Sequence, residues 1–329
     1  MEFQIFRFGS YQKKELTPKS KNLGLQRLVT QKFKEDTKKE DFLYSMKRNL
    51  IQIVIILGLI IPNFLCAEAQ ALLFDSVKKK LIQDGFDPQM IEKLYNEPEV
   101  YFDIKSVSGY FQHNEARLNY AQFHQSRNIA KAKKYLVKHK ATLDRVEKKY
   151  DVDKEIIVSI MLVETRLGGF TGVSRVLNVY STMAALKAEA PRENLWEQVP
   201  PKKRLKKNAY RKKAFRKADW AYDQLKSFLK YTSPNNFSPI DIRGSYAGAI
   251  GLAQFIPSSI LKFVKDGNND GKIDLFNHDD AIESIANYLN SFGWRSGISR
   301  KKASKVLYHY NHSTYYVNEL LTISDLLKK

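Results

Sequence analysis

Apolar residues fall at helical spacing through most of the chain. In residues 71–83, Phe74, Val77 and Leu81 share one face, and Gly85 ends the segment. Asp87 and Pro88 supply an N-cap and a first helical position, so a second helix is predicted through Leu94. Residues 95–125 show no clean period and read as irregular, with aromatics at Tyr101, Phe102, Tyr110, Phe111, Tyr120 and Phe123. Residues 128–150 read as one long, Lys-rich surface helix. Asp153 is placed to cap the next helix, residues 154–166. Its Ile156, Ile157, Val158, Ile160, Met161, Leu162 and Val163 are apolar nearly all round, the pattern of a buried helix. Gly168 and Gly169 stop it. Further helices are predicted over about 173–187, 218–231, 258–264, 279–292, 300–308 and near the C-terminus. Strand-like alternation is scarce and no internal repeat is present, so the fold class is mainly α.

Composition adds a direction. The chain has 329 residues, 43% hydrophobic and 27% charged, which suits a globular protein. Its formal net charge is +20, which favours anionic partners such as nucleic acid, a membrane surface or an acidic polymer. Ten Lys and Arg residues crowd into positions 202–217, within a compositionally distinct segment of about 191–217. That segment reads as a solvated insertion or loop. With one cysteine, Cys66, no intramolecular disulfide can form.

The N-terminus carries an address. Residues 50–65 are almost wholly apolar, interrupted mainly by Gln52, Pro62 and Asn63. The run is short for a spanning helix of roughly 20 residues. Met46-Lys47-Arg48 precedes it and Cys66-Ala67-Glu68-Ala69 follows, so residues 46–69 read as a secretory signal peptide cut after Ala69. Signal peptides do not carry a polar leader such as residues 1–45, which points to Met46 as the true start and to a start-site artefact before it. The alternative is a cytoplasmic tail with an uncleaved anchor, in which residues 50–66 associate with the membrane. Lipid attachment at Cys66 is disfavoured, because Asn63-Phe64-Leu65 does not form the usual lipobox. The expected location is the periplasm or cell envelope. Residues 50–329 keep 43 basic against 29 acidic side chains, a net of +14, so the exported region stays basic.

Four segments carry candidate chemistry. Glu164 lies near the end of the apolar helix. Burial there would raise its pKa, as a general acid at neutral pH requires, but read alone the signal is weak, since a Glu at a helix end more often pairs with a cation, here Arg166 or a Lys elsewhere. Gly244-Ser-Tyr-Ala-Gly-Ala-Ile-Gly-Leu-Ala-Gln-Phe-Ile-Pro-Ser-Ser259 has glycines that allow close backbone approach. Within it, Gln254 and Phe255 offer an amide and an aromatic face for sugar. It lacks the Gly-Lys-Ser/Thr ending of a phosphate loop. Asp266-Gly-Asn-Asn-Asp-Gly-Lys-Ile-Asp-Leu-Phe-Asn277 puts oxygen side chains at loop positions 1, 3, 5 and 9 and Gly271 at position 6, the EF-hand pattern. Position 12 is Asn277 instead of Glu, and Asp279 or Asp280 could supply a carboxylate slightly later. Tyr308-His-Tyr-Asn-His-Ser-Thr-Tyr-Tyr-Val317 supplies aromatics with hydrogen-bonding tips, suited to a carbohydrate groove or to a helix end packed on a core.

Together these segments resemble the membrane-bound lytic transglycosylase B family of peptidoglycan lytic transglycosylases. The resemblance rests on Val163-Glu-Thr-Arg-Leu-Gly168, on the Gly244–Ser259 segment, and on Asp266 to Asp270 followed by Asp280-Ala-Ile. Asn287-Tyr288, Gly293-Trp294 and Tyr310-Asn311-x-Ser313-x-x-Tyr316-Val317 add to it. It covers roughly residues 74–327, with the catalytic region taken as 70–329. The resemblance implies a lysozyme-like α+β fold, mainly helical, with a small β element and a long substrate cleft. It implies Glu164 as the single catalytic acid/base. Ser245, Gln254, Phe255, Tyr310, Asn311 and Tyr316 match cleft positions, Tyr120 matches an upstream cleft tyrosine, and Arg216 and Lys217 match paired basic residues before a helix. No cofactor is implied for the chemistry. A structural calcium ion is implied in the EF-hand-like loop 266–280, with Asp266, Asn268, Asp270, the backbone of Lys272 and Asp280 as ligands.

The implied activity cleaves the bond between N-acetylmuramic acid and N-acetylglucosamine without water, leaving 1,6-anhydromuramoyl ends. The partner is the glycan strand, not nucleic acid, and the protein is expected to act as a monomer. Two alternatives stand beside this. One is a lysozyme-type muramidase on the same scaffold. The other is a non-catalytic wall-binding protein in which Glu164 is a structural ion-pair partner.

Overall fold

The computed structural model describes residues 72–113 and 118–329. The leader, the signal-like segment and Cys66 lie outside the described residues. The first described helices are α1 (Asp75–Gln83) and α2 (Pro88–Tyr95). Asp87 caps α2 by accepting from the Met90 amide at 2.6 Å, with Pro88 at the first position, as expected. No described helix is long and apolar enough to cross a membrane.

The segment expected to be irregular contains a helix, α3 (Ile104–Gln112). Asp103 caps it by accepting from the Ser106 amide at 2.9 Å. Its buried Val107 and Phe111 are four residues apart, so one short stripe holds it to the core. The stripe is too short to produce a clear period in sequence.

The long helix expected over 128–150 is broken at His139 into α4 (Ser126–Lys138) and α5 (Lys140–Tyr150). The break lets two apolar faces meet different partners. Ala132 and Tyr135 of α4 turn inward, as do Leu143 and Val146 of α5. α4 packs on α6 (Lys154–Thr165), and α5 packs chiefly on α11 (His278–Ser291).

α6 is the buried helix that its composition announced, with Ile156 through Leu162 all inside. Asp153 stands at its N-cap position but its side chain makes no cap bond. The carboxylate instead accepts from the Trp294 indole at 2.9 Å and the Lys328 ammonium at 3.0 Å, which ties the start of α6 to the C-terminus. The C-terminal helix α13 (Thr314–Leu327) lies along α6.

β1 (Ser174–Arg175) pairs antiparallel with β2 (Arg243–Gly244), Ser174 opposite Gly244. This two-stranded ribbon is the small β element. α7 (Val176–Ala185) follows β1 and packs on α9 (Lys207–Thr232).

The basic segment is helical for most of its length, contrary to the loop expected there. α8 (Glu189–Gln198) enters it, and the 26 residues of α9 run out of it. Tyr210, Ala214, Ala218, Ala221 and Leu225 repeat on one face of α9 and are buried. Most of the basic residues occupy the wet face. Several lay their cations on aromatic rings: Arg204 over Trp196 at 4.5 Å, Arg192 over Phe215 at 4.6 Å, and Lys217 over Trp220 at 4.9 Å. The charge density hid a helical period that only the small and aromatic residues carry.

The remaining helices are α10 (Pro257–Phe263), α11 and α12 (Arg300–Tyr310), then α13. α10 packs on α9, and α12 packs on α13.

Candidate active site

Glu164 is the penultimate residue of α6, half-buried where the helix turns from core to surface. The chain leaves the helix through Arg166 and Leu167, both at positive φ. Thr165, buried beside Glu164, fixes this exit. Its hydroxyl stands 3.1 Å from the Leu252 carbonyl, and it accepts from the Gly168 amide at 3.1 Å. The end of the helix is thereby pinned to the Gly-rich segment.

That segment is a tight double turn. Ser245 donates its amide to the Ala249 carbonyl at 2.9 Å, and its hydroxyl accepts from the Ala249 amide at 3.0 Å. Gly248 has φ +86°, and a Cβ there would lie 2.4 Å from the ring of Tyr180. The Tyr180 hydroxyl donates to the Gly248 carbonyl at 3.0 Å, so ring and turn are fitted to each other. The next turn passes the EF-hand-like loop: Leu252 donates its amide to the Leu275 carbonyl at 2.9 Å. Gln254 sits at φ +49°, and its amide donates to the carbonyls of Gly251 at 2.8 Å and Thr171 at 3.1 Å. These bonds aim the Gln254 side chain across the mouth of the loop.

α12 and α13 supply the opposite wall. The Tyr316 hydroxyl donates to Glu164 Oε1 at 2.6 Å. Tyr310 stacks on Tyr316 with ring centroids 6.4 Å apart, and its hydroxyl donates to the Ala253 carbonyl at 2.5 Å. Tyr120 meets Tyr316 edge-on at 6.1 Å. Burial and the neighbouring Glu164 carboxylate push the Tyr310 and Tyr316 hydroxyls well above their usual pKa, so both remain donors at any working pH.

These walls enclose a cleft of about 530 Å³. It is lined by Glu164, Ser245, Gln254, Tyr310, Asn311, Tyr316 and Tyr120, each singled out from sequence. His113, Asn119, Gln122 and Tyr246 also line it. Tyr246 lay inside a quoted motif; His113 and Asn119 sit in the stretch without a period, where no sequence signal marked them. Glu164 is the one carboxylate among the described residues lining the cleft.

Three expected contacts fall elsewhere. Phe255 is 3% exposed and packs against Tyr288 and Tyr310 beneath the cleft, because the strand-like bridge from Ile250 to Phe255 turns its ring inward. It supports Tyr310 and offers no face to a ligand. Arg216 and Lys217 lie on α9 outside the residues lining the cleft. Lys217 is engaged with Tyr110 and Trp220, and Arg216 points to solvent.

The EF-hand-like loop turns its oxygens on its own backbone. Asp266 accepts from the Asp270 and Gly271 amides at 3.2 and 2.8 Å. Asp270 accepts from the Lys272 amide at 2.8 Å and from the Asn268 side-chain amide at 2.9 Å. Asp280, 1% exposed, accepts from Gly267 at 2.8 Å and Asp274 at 2.7 Å. It clamps the two ends of the loop, and burial raises its pKa. Among the described residues, no three His, Cys, Asp or Glu side chains form a group that could hold a metal. A cation here would draw on the Asn268 and Lys272 oxygens as well, which suits a hard ion such as calcium.

Residues 69–303 match the family model described as a transglycosylase SLT domain. The membrane-bound lytic murein transglycosylase B of Escherichia coli (strain K12) is 28% identical over 232 residues, covering 67% of this chain and 57% of that protein. The chain thus spans little more than half the length of this curated relative. The soluble lytic transglycosylase SltB1 of Pseudomonas aeruginosa has a similar fold, with a TM-score of 0.62 at 23% identity over 77% of this chain and 97% of its own. So do the Escherichia coli lytic transglycosylase Slt35 in complex with calcium, with a TM-score of 0.62 at 22% identity over 78% and 92%, and Pseudomonas aeruginosa SltB3 in complex with NAG-NAM-pentapeptide, with 0.62 at 19% over 78% and 78%. The mainly helical architecture with a small antiparallel ribbon is the lysozyme-like fold of these structures.

Proposed function

Because the chain belongs to the transglycosylase SLT domain family, we propose that it cleaves peptidoglycan glycan strands between N-acetylmuramic acid and N-acetylglucosamine and leaves 1,6-anhydromuramoyl ends. The observation that carries this reading is the Glu164–Tyr316 pair at the floor of a cleft whose described lining holds no second carboxylate. Hydrolysis of a glycosidic bond ordinarily takes two carboxylates, one as acid and one as nucleophile or base. With Glu164 the one carboxylate of the described lining, this reading takes the attacking group from the substrate.

In the first step Glu164 gives its proton to the bridging oxygen as the bond to the muramic C1 breaks. The positive charge that develops there is shared with the ring oxygen and assisted by the substrate's own acetamido group. Glu164 is then ionised, and the hydrogen bond from Tyr316 favours that form. In the second step the C6 hydroxyl attacks C1 and loses its proton to Glu164. The acid is restored and no water is consumed. Tyr316 holds Oε1 and so fixes the orientation of the carboxylate that carries the proton. Ser245, Gln254, Asn311, Tyr310 and Tyr120 would hold the sugars.

The loop at 266–280 would hold one structural calcium ion through Asp266, Asn268, Asp270 and the Lys272 carbonyl, with Asp280 as the clamp beneath. Its bond from Leu252 to Leu275 would carry that rigidity to the Gln254 turn. The signal-like segment supports export to the periplasm or cell envelope, with a mature start near Gln70.

Mass spectrometry of purified peptidoglycan digested with this protein tests the reading. Anhydromuropeptides are expected. Reducing muramic ends, heavier by one water, would make the enzyme a muramidase. Intact strands after digestion would remove the enzymatic reading.

A further inference from the structure

The cleft does not end at Tyr246. A second recess of about 590 Å³ lies beside that ring, and Tyr246 lines both. α3 connects the two spaces. His113, just past its end, lines the Glu164 cleft and shares a hydrogen bond of 2.8 Å with the Tyr246 hydroxyl. Lys105 and Ser106, in its first turn, line the recess. Between them Gly109 faces Tyr246, whose Cδ2 would stand 4.0 Å, in ordinary contact, from a Cβ placed there. Lys105, Gly109 and His113 are spaced by four, share one side of the helix, and are all exposed. At 1.5 Å per residue the stripe runs about 12 Å, on the order of a disaccharide's length.

The recess has the chemistry of a sugar site. Tyr101 is 41% exposed and Tyr246 39%, and Val173 is open at 66%. Scattered exposed apolar side chains need no explanation. Here three of them share one concavity with a lysine. Phenol rings offer faces to the C–H surface of a pyranose and hydroxyls to its rim. The serine pair Ser106 and Ser174, bonded at 2.8 Å, adds polar atoms to the wall. Lys105 supplies a cation for a carboxylate.

We propose that this recess is a second sugar-binding site, which holds a part of the glycan strand remote from the bond that breaks and pairs Lys105 with a carboxylate carried by that strand. The proposal rests on the reading of the Glu164 cleft as a peptidoglycan-cleaving site. The strand runs from Glu164 past Tyr246 and along α3, so cleavage draws on contacts well beyond the reacting sugars. Binding energy from such remote contacts lowers KM for long substrates and does nothing for short ones.

The test compares two substrates with the full chain: long, peptide-bearing glycan strands, and a tetrasaccharide muropeptide too short to reach the recess. The variants are Tyr101→Ala and Lys105→Glu, both at exposed positions away from Glu164, with melting temperatures taken to confirm folding. Each variant is expected to lower kcat/KM about tenfold on long strands, mainly through KM, and to leave tetrasaccharide cleavage unchanged. Unchanged kinetics on long strands by both folded variants would overturn the proposal. So would equal losses on both substrates, since the substitutions would then be acting on the Glu164 cleft itself. If the native protein cleaves neither substrate, the catalytic reading falls and the proposal falls with it.

Discussion

The Tyr316 hydroxyl stands 2.6 Å from Glu164 Oε1, joining two residues 152 positions apart in the chain. α6 delivers the carboxylate and α13 delivers the phenol, and the packing of those two helices sets the distance. A hydrogen bond to a charged group contributes about 1.5–3 kcal/mol. Tyr316→Phe keeps the ring and its stacking on Tyr310 and removes only the donor. Release of anhydromuropeptides should therefore fall roughly 10- to 100-fold, chiefly in kcat. A variant with the native rate would show that Tyr316 does not act on the Glu164 carboxylate.

Glu164→Gln preserves shape and cannot transfer a proton. Loss of a general acid/base costs about 10²–10⁴-fold in rate. With no second carboxylate among the described lining residues, the upper end is expected. The variant should still fold and retain glycan strands in a pull-down. Glu155→Gln, at the start of the same helix, is the control and should stay active.

Calcium should raise the melting temperature of the native protein. A ligand that binds only the folded state stabilises it by about 2.7 kcal/mol at a hundredfold excess over its dissociation constant. Asp270→Ala removes one oxygen donor and should abolish the gain. Thermal melts with calcium and with a chelator that coincide would exclude the ion.

A pair of histidines makes stability depend on pH. The rings of His139 and His278 lie tilted against each other, centroids 4.7 Å apart, where α4, α5 and α11 meet. Burial depresses the pKa of both. Lys138 lowers each further, His278 also lowers His139, and Asp279 opposes the shift in each. The Tyr135 hydroxyl, its own pKa raised by burial, shares a hydrogen bond of 2.7 Å with His278 Nδ1, its direction set by the tautomer of the ring. A group whose folded pKa lies below its unfolded value stabilises the fold above the unfolded value and loses that contribution as pH falls through the folded one. The melting temperature should therefore hold above about pH 6.5 and decline below it. His139→Phe should flatten the decline. A native profile that is flat between pH 7 and pH 5 would show that the pair carries no such charge penalty.

Several features could be read directly from the residues. The uniform apolarity of residues 156–163 marks α6 as buried, since a helix without a polar face has nowhere else to go. Glu164 at its end and the Gly-rich segment after it stand out locally, but only the resemblance of several ordered motifs marks Glu164 as a catalytic candidate. The EF-hand-like spacing of residues 266–277 is local too. What escaped sequence reasoning depends on partners far along the chain. Phe255 resembled a sugar platform because it follows Gln254, but the bridge to Ile250 turns it under Tyr310. The basic segment resembled a loop because charge masked its period, and only α7 and α10 against α9 show which face is held. α3 has too few buried positions to announce itself, so His113 and the groove beside it had no local signal. Sequence fixes which residues prefer a helix, a turn or the core, because those preferences act over a few positions. Whether Tyr316 meets Glu164, or Tyr246 lies between two recesses, is decided by helix packing, which brings together atoms that no local pattern connects.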